Sequence, residues 1–330
     1  MERRQYKFYI IIIASIIIFA GLLIFGYMIY RISSVPMVIE RSHPVVIKFN
    51  KNTPASYLVD QLKKYKLIQS RQVLLILMRI HGMSSQLKAG IYQIKAGETA
   101  LQFMARVAKG DVIKKSFTIV EGTTKNQVIT NLKKAPYLLY KDSDWLKIKD
   151  NYPGYEGLLL ADTYVYDAGS ESSELLSRAN YDLQQYLNQS WLTRVPGLPY
   201  KSSYDMLIVA SIIEKETSVA QEKSLVAGVI VNRLRKKMRL QVDPTVIYAL
   251  GDDYKGKLTR QGLQVDSPFN TYKYRGLPPT PIAMVGRDAI EAAANPAKTD
   301  YLYFVAKGDG AHHFSESYEQ QKQAIEKFLN

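Results

Sequence analysis

Apolar residues crowd the start of the chain and then settle into shorter rhythms. From Phe8 to Tyr30 the sequence FYIIIIASIIIFAGLLIFGYMIY carries no charge, and Lys7 and Arg31 bracket it. About 20 such residues are enough for a helix to cross a bilayer core. A buried globular helix of this length would show a polar face, and none is present here. Arg3, Arg4 and Lys7 precede the run against the single acid Glu2. The positive-inside rule then keeps the N-terminus in the cytoplasm and exports the chain beyond Arg31. Tyr6, Tyr9, Tyr27 and Tyr30 flank the run, where amphipathic rings prefer the headgroup layer. A cleaved signal peptide is the rival reading, but RISSVPMVIE offers a poor cleavage site. The expectation is an uncleaved single-pass anchor over 8–30, with 1–7 as a short cytoplasmic end.

Beyond the anchor, short alternating strands and short amphipathic helices predict a small α+β module over about 31–135. Val45–Phe49, Gly90–Ile94 and Phe117–Val120 read as strands. Thr53-Pro54 starts a helix carrying Leu58, Val59 and Leu62, since proline is preorganised for a first turn. Ser70 caps a second helix through Leu74, Leu77 and Met78. Glu98–Val107 is a third, and Glu121-Gly122-Thr123-Thr124 opens a fourth around Val128 and Leu132. No residue in this stretch looks catalytic. From about 136 to 330 the pattern becomes mainly helical, with a polar helix near Glu171–Gln189 and a dense cluster of motifs after Ser202.

Composition narrows the chemistry. Lys plus Arg number 44 and Asp plus Glu 30, a net charge of +14. An exported body makes nucleic acid an unsuitable partner for that charge, and anionic wall polymer or lipid headgroups suitable ones. There is no cysteine and there are only four histidines. Disulfides, thiolate metal sites and cysteine nucleophiles are excluded together. His312-His313 would point apart on a strand, which favours a loop or groove-edge role over chelation. Gly308-x-Gly310 lacks the rest of a nucleotide fingerprint. Ser211 has no activating base beside it. The expectation is a protein without metal or cofactor.

One carboxylate falls on an apolar face. Reading SSYDMLIVASIIEKETSVA as one helix from Ser202 to Ala220, Met206, Val209, Ala210, Ile213 and Thr217 share a side. Ile212, Glu216 and Ala220 flank it. Glu214 lies about 160° from Glu216, toward Ser211 and Ser218. Burial disfavours the charged form of a carboxyl, so Glu216 gains the raised pKa of a general acid. From this helix alone, an edge glutamate paired with Arg or Lys is the plainer reading. A second helix over Gln221–Met238 carries Val226, Val229, Ile230 and Leu234, with Asn232 and Arg233 beside them. Asp243 then reads as a helix cap ahead of Pro244, or as the second carboxylate of a hydrolase pair.

Taken together, these motifs resemble the MltG/YceG family of endolytic murein transglycosylases. The match runs through Glu214-Lys215-Glu216-Thr217, Asn232-Arg233-Leu234 and Leu240-Gln241-x-Asp243-Pro244-Thr245-x-x-Tyr248. It continues through Asn270-Thr271-Tyr272, Gly276-Leu277-Pro278-Pro279, Pro281-Ile282 and Tyr301-Leu302-Tyr303-Phe304-Val305. The resemblance implies an α+β fold: an N-terminal transmembrane helix, a LysM-like module, then a mainly helical α+β catalytic domain over 136–330. It implies Glu216 as acid and base in cleaving the MurNAc-β-1,4-GlcNAc bond within glycan strands, leaving 1,6-anhydro ends. Asn232, Gln241, Asp243, Tyr248, Asn270 and Thr271 are the expected groove-shaping, substrate-binding residues. Peptidoglycan strands and peptidoglycan synthases are the implied partners, at the bacterial inner membrane with the catalytic domain outside the cytoplasm. The chain departs from the family pattern at Leu160-Ala161, Phe269, Thr280 and Val285, which touches loop shape and leaves the Glu216 motif intact. The alternative from a different class is a non-enzymatic wall-binding scaffold for synthases.

Overall fold

The computed structural model describes residues 2–38, 44–148 and 152–328. Its first element is α1 (Glu2–Ser34), whose side chains stand exposed through the apolar run. Gln5–Ser34 is long and apolar enough to cross a membrane. This is compatible with a single-pass anchor. Residues 39 and 40, at the end of the rival cleavage stretch, lie outside the described residues.

The chain mixes helix and strand and divides into two compact units. The first comprises residues 1–115 and 167–170. Strands β1 (Val46–Phe49) and β2 (Gly90–Gln93) pair antiparallel, with Ile47 opposite Tyr92. Helices α2 (Ala55–Lys64), α3 (Arg71–Ile80) and α4 (Ala100–Lys109) cover them. Leu58, Leu62, Leu74, Met78, Tyr92 and Phe103 close the core. Local signals fix these helices. Ser70 caps α3 through the Val73 N–H. Thr99 and Gln102 form a reciprocal capping box on α4, which satisfies two of its orphan amides.

The second unit comprises residues 116–166 and 171–330. Its elements begin with β3 (Lys114–Thr118), which starts at the unit boundary, α5 (Lys125–Leu132) and β4 (Thr163–Asp167). They continue with α6 (Ser172–Thr193), α7 (Ser203–Glu216), α8 (Ala220–Arg235), α9 (Asp243–Leu250) and α10 (Arg287–Ala294), then β5 (Tyr303–Ala306), β6 (His312–Ser315) and α11 (Tyr318–Phe328). The compact boundary thus falls near Lys115, before the expected 135. The reason is packing: Phe117, Ile119, Val128 and Leu132 share a core with Trp145, Tyr164 and Leu176.

Helix α7 is the axis of this unit. α6, α8 and α10 pack around it, and Tyr204 and Met206 to Ile213 are all buried. Burial all round is the mark of a core helix rather than a one-sided amphipathic one. The Ser211 hydroxyl is spent inside, donating to the Ile208 carbonyl and accepting from the Ile282 N–H. A close approach brings the 297–299 segment across α8: a Cβ on Gly228 would sit 2.7 Å from the Ala297 carbonyl oxygen. Strands β5 and β6 pair antiparallel and carry α11.

Candidate active site

The helix expected to run from Ser202 to Ala220 is two helices with a break. Ser202 caps α7 through the Asp205 N–H, and the Asp205 carboxylate reaches back to the Lys201 N–H. At the far end Thr217 turns extended, with φ −143° and ψ 136°. Its hydroxyl accepts from the Val219 N–H. A threonine whose side chain bonds forward along the backbone offers an alternative to another helical turn. Glu216 is therefore the last helical residue, and Ala220, assigned to its face from sequence, begins α8.

Two carboxylates leave this final turn. The Glu214 side chain is buried and pairs with the equally buried Lys223 of α8 at 2.8 Å. Its other oxygen accepts from the Gly286 N–H at 2.9 Å. Gly286 also admits a second carboxylate: a Cβ there would lie 2.0 Å from the Glu121 Oε1. Glu214 thus points into α8 and α10 rather than toward Ser211 and Ser218.

Glu216 is partly buried, and among the described residues no hydrogen bond or ion pair neutralises it. Burial pushes its pKa from the ordinary 4.5 up to about 8; the negative charge of Asp243 adds to the rise and Arg233 opposes it. The expected direction from sequence is present, although its cause is the wall of the second unit rather than a one-sided stripe.

Asp243 stands across from Glu216 as the first residue of α9. Val242 is the cap residue, so the expected cap role of Asp243 is replaced. Asp243 instead accepts the Tyr272 hydroxyl at 2.5 Å. Burial, the Asp243 contact and the Glu216 charge all raise the Tyr272 pKa, which keeps the phenol a donor. Arg233 is buried beneath this pair. It donates to the carbonyls of Leu302 and Leu240, both at 2.6 Å, and lies over the Tyr303 ring. Sequence reasoning missed Tyr272 and Arg233 as site members. Both stood inside quoted motifs, and a tyrosine two positions beyond Asn270 was the available signal.

The remaining expected residues divide by what they hold. Thr271 is buried and ties Val242 and Thr245 to its own loop. Asn270 is buried and clamps the carbonyls of Leu263 and Val265. Asn232 clamps Thr299 and Tyr301. These three have their amides or hydroxyls committed to the protein. Gln241 is exposed at φ +51° and accepts weakly from Arg233. Tyr248 packs on Phe269 and donates to Glu156 at 3.1 Å. Glu156 also accepts from the Lys125 N–H. Burial raises its pKa against those hydrogen bonds.

His312 and His313 do not act as a pair. His312 contacts Glu222 through both its backbone N–H and ring Nδ1. His313 faces Phe328. Among the described residues no group of three or more His, Asp and Glu is placed to hold a metal ion.

A model of the YceG-like family matches residues 47–327. The chain belongs to the YceG-like family. A Bacillus subtilis protein named endolytic murein transglycosylase is 31% identical over 322 residues, spanning 88% of this chain and 87% of that protein. A Streptococcus pneumoniae protein of the same name is 26% identical over 286 residues, 74% of this chain. The match spans about half the length of that relative, 51%. A crystal structure of a YceG-like protein from Listeria monocytogenes superposes with a TM-score of 0.53 at 27% identity. It covers 86% of this chain and 99% of the Listeria chain.

Proposed function

We propose that this YceG-like protein is an endolytic peptidoglycan lytic transglycosylase, a lyase in which Glu216 serves first as acid and then as base. The observation that carries the reading is one partly buried carboxyl, held protonated near neutral pH by burial and by Asp243. A glycosidic oxygen is a poor leaving group until it is protonated, so such an acid is the group the bond needs.

The chemistry closes on a single carboxyl. Protonated Glu216 gives its proton to the glycosidic oxygen as the bond from the MurNAc anomeric carbon to that oxygen breaks. The MurNAc C6 hydroxyl oxygen then bonds to the same carbon and releases its proton to Glu216. Bonds and protons balance, a 1,6-anhydro ring forms, and no water is consumed. Asp243 lies opposite the reacting region and is held there by the Tyr272 hydroxyl, which donates to it. An anion at that position favours the oxocarbenium character that develops in such transition states. Arg233 fixes the backbone at Arg239 and Leu240, just ahead of Asp243.

The proposal extends to setting. α1 would tether the protein in the inner membrane with the catalytic unit outside the cytoplasm, where internal cuts in nascent strands would limit their length beside peptidoglycan synthases. The LysM-like reading of the first unit belongs to the same proposal.

The test is cleavage of uncrosslinked polymeric glycan in H2(18)O, read by mass spectrometry. The reading predicts internal fragments ending in anhydro-MurNAc, each lighter by one water than a hydrolysed end and free of 18O. Reducing ends carrying 18O would make the protein a hydrolase. A folded chain that binds glycan without cutting it would return the scaffold reading.

A further inference from the structure

A second feature of the catalytic unit lies one residue to the side of the Glu216–Asp243 pair. A cavity of about 590 Å³ opens between α5 and α9, and Lys215 and Pro244 both line it. These are the sequence neighbours of Glu216 and Asp243. Its volume is that of an ordinary small-ligand site.

The two walls differ in chemistry. From α5 the cavity is lined by Thr124, Asn126, Gln127 and Thr130. Thr124 and the Gln127 Oε1 close the capping box, and Thr130 donates to the Asn126 carbonyl. This leaves the Asn126 amide and the Gln127 Nε2 as donors and the hydroxyl oxygens as acceptors. Residues three and four apart share a helix face, so Asn126, Gln127 and Thr130 form one polar strip. The opposite wall is Pro244, Ile247 and Tyr248 of α9, with Ile282. A sugar ring has the complementary shape: a C–H face that packs on apolar or aromatic surface, and a rim of hydroxyls and N-acetyl groups that bond to amides. The charge balance argues against an anionic peptide. Among the described residues Lys215 is the one cation on the cavity wall, and its ammonium already donates to the Gly122 carbonyl. Glu156 and Asp252 supply two acids.

We propose that this cavity is a saccharide subsite, taking the N-acetylated sugars of the glycan strand that continue past the bond at Glu216, with α5 as its polar wall. The assignment rests on the reading of Glu216 given above. It gives α5 a function in the site, a segment that sequence reasoning had placed with the first module.

The test uses the full chain in detergent with Glu216→Gln, so that glycan binds without turnover. The probe is peptide-free, uncrosslinked GlcNAc–MurNAc oligosaccharide, with affinity read by calorimetry. Asn126→Leu and Thr130→Trp are added singly; the first removes an amide and the second fills the space. Each is expected to weaken oligosaccharide binding about tenfold, near 1.4 kcal/mol, with the unfolding temperature unchanged. Unchanged affinity in both folded variants would overturn the subsite. Loss of binding to free stem peptide with oligosaccharide affinity intact would also overturn it. The 18O experiment on wild type fails or succeeds separately, so the subsite and the lyase reading are distinguishable.

Discussion

Glu214 and Glu216 leave the same turn of α7 and enter regions built on opposite principles. On the Glu214 side, each carboxylate oxygen has a donor: Lys223 on one and the Gly286 N–H on the other. On the Glu216 side, the nearest charges are Asp243, which repels, and Arg233, which is engaged with backbone carbonyls. Burial is common to both. The difference shows that burial alone does not make an acid. A buried carboxylate with a buried lysine is a structural tie, and one left beside another carboxylate holds its proton.

Five substitutions, two of them also combined, would collapse or deepen this contrast. The largest effect belongs to Glu216→Gln, which removes the proton donor and should lower kcat by about 10³-fold, within the range for a lost general acid. The same variant should alter stability in a defined window. A raised folded pKa means the Glu216 contribution is complete below about pH 4.5 and is lost as pH rises toward about 8. Glu216→Gln should flatten that decline, by on the order of 2–4 kcal/mol once partial exposure is allowed for. Thermal unfolding from pH 4 to 9 reads it.

Next is Lys223→Met, which strands Glu214 as a buried unpaired charge and should cost about 3–5 kcal/mol. The double variant Glu214→Gln with Lys223→Met should recover most of that loss, because glutamine still accepts the Gly286 N–H. Activity per folded molecule should stay within a few-fold in the double variant, measured on the same glycan. Comparable loss of kcat there would merge the two regions that the structure separates.

Asp243→Asn removes the charge that repels the Glu216 carboxylate. The alkaline limb of the pH–rate profile should move toward acid by about one unit. The smallest effect is expected for Gly286→Ala. Its Cβ would meet the Glu121 side chain, which can swing aside, so a cost of about 1 kcal/mol in chemical unfolding is expected.

Much of the fold was legible because its signals are local. The apolar run 8–30, the Ser70 cap and the two strands β1 and β2 were readable from residue type and period, while the Thr99 cap and the antiparallel pairing of the strands came from the structure. Element ends were not. The break at Thr217 depends on its hydroxyl finding the Val219 N–H, and period alone carried the helix through to Ala220. Phe117 to Leu132 have the same strand–helix rhythm as the first module, while the residues they pack with, Trp145, Tyr164 and Leu176, lie far along the chain.

The site divides in the same way. Glu216 stood out as a charged residue continuing an apolar pattern, but that pattern alone favoured an edge glutamate, and the motif it shares with the family made it the candidate. Asp243 was read as a helix cap, as a second carboxylate and, from the resemblance, as a groove residue. Only the cap reading falls, because Val242 holds that position, and Asp-Pro at a helix start looks like a cap whether or not its side chain is used. Asn270 and Thr271 are polar residues in a motif, and polarity cannot say whether a group faces solvent or clamps a loop. Arg233 and Tyr272 act through contacts across long sequence separations, which no local pattern encodes.

The most direct measurement is the 13C titration of the Glu216 side-chain carboxyl, assigned by its loss in Glu216→Gln and set beside the pH dependence of kcat. A midpoint near 8 is expected, well above the ordinary 4.5 and coinciding with the alkaline limb of activity. A midpoint near 4.5 would leave Glu216 ionised at neutral pH, with no proton to give, and would contradict its role as the acid.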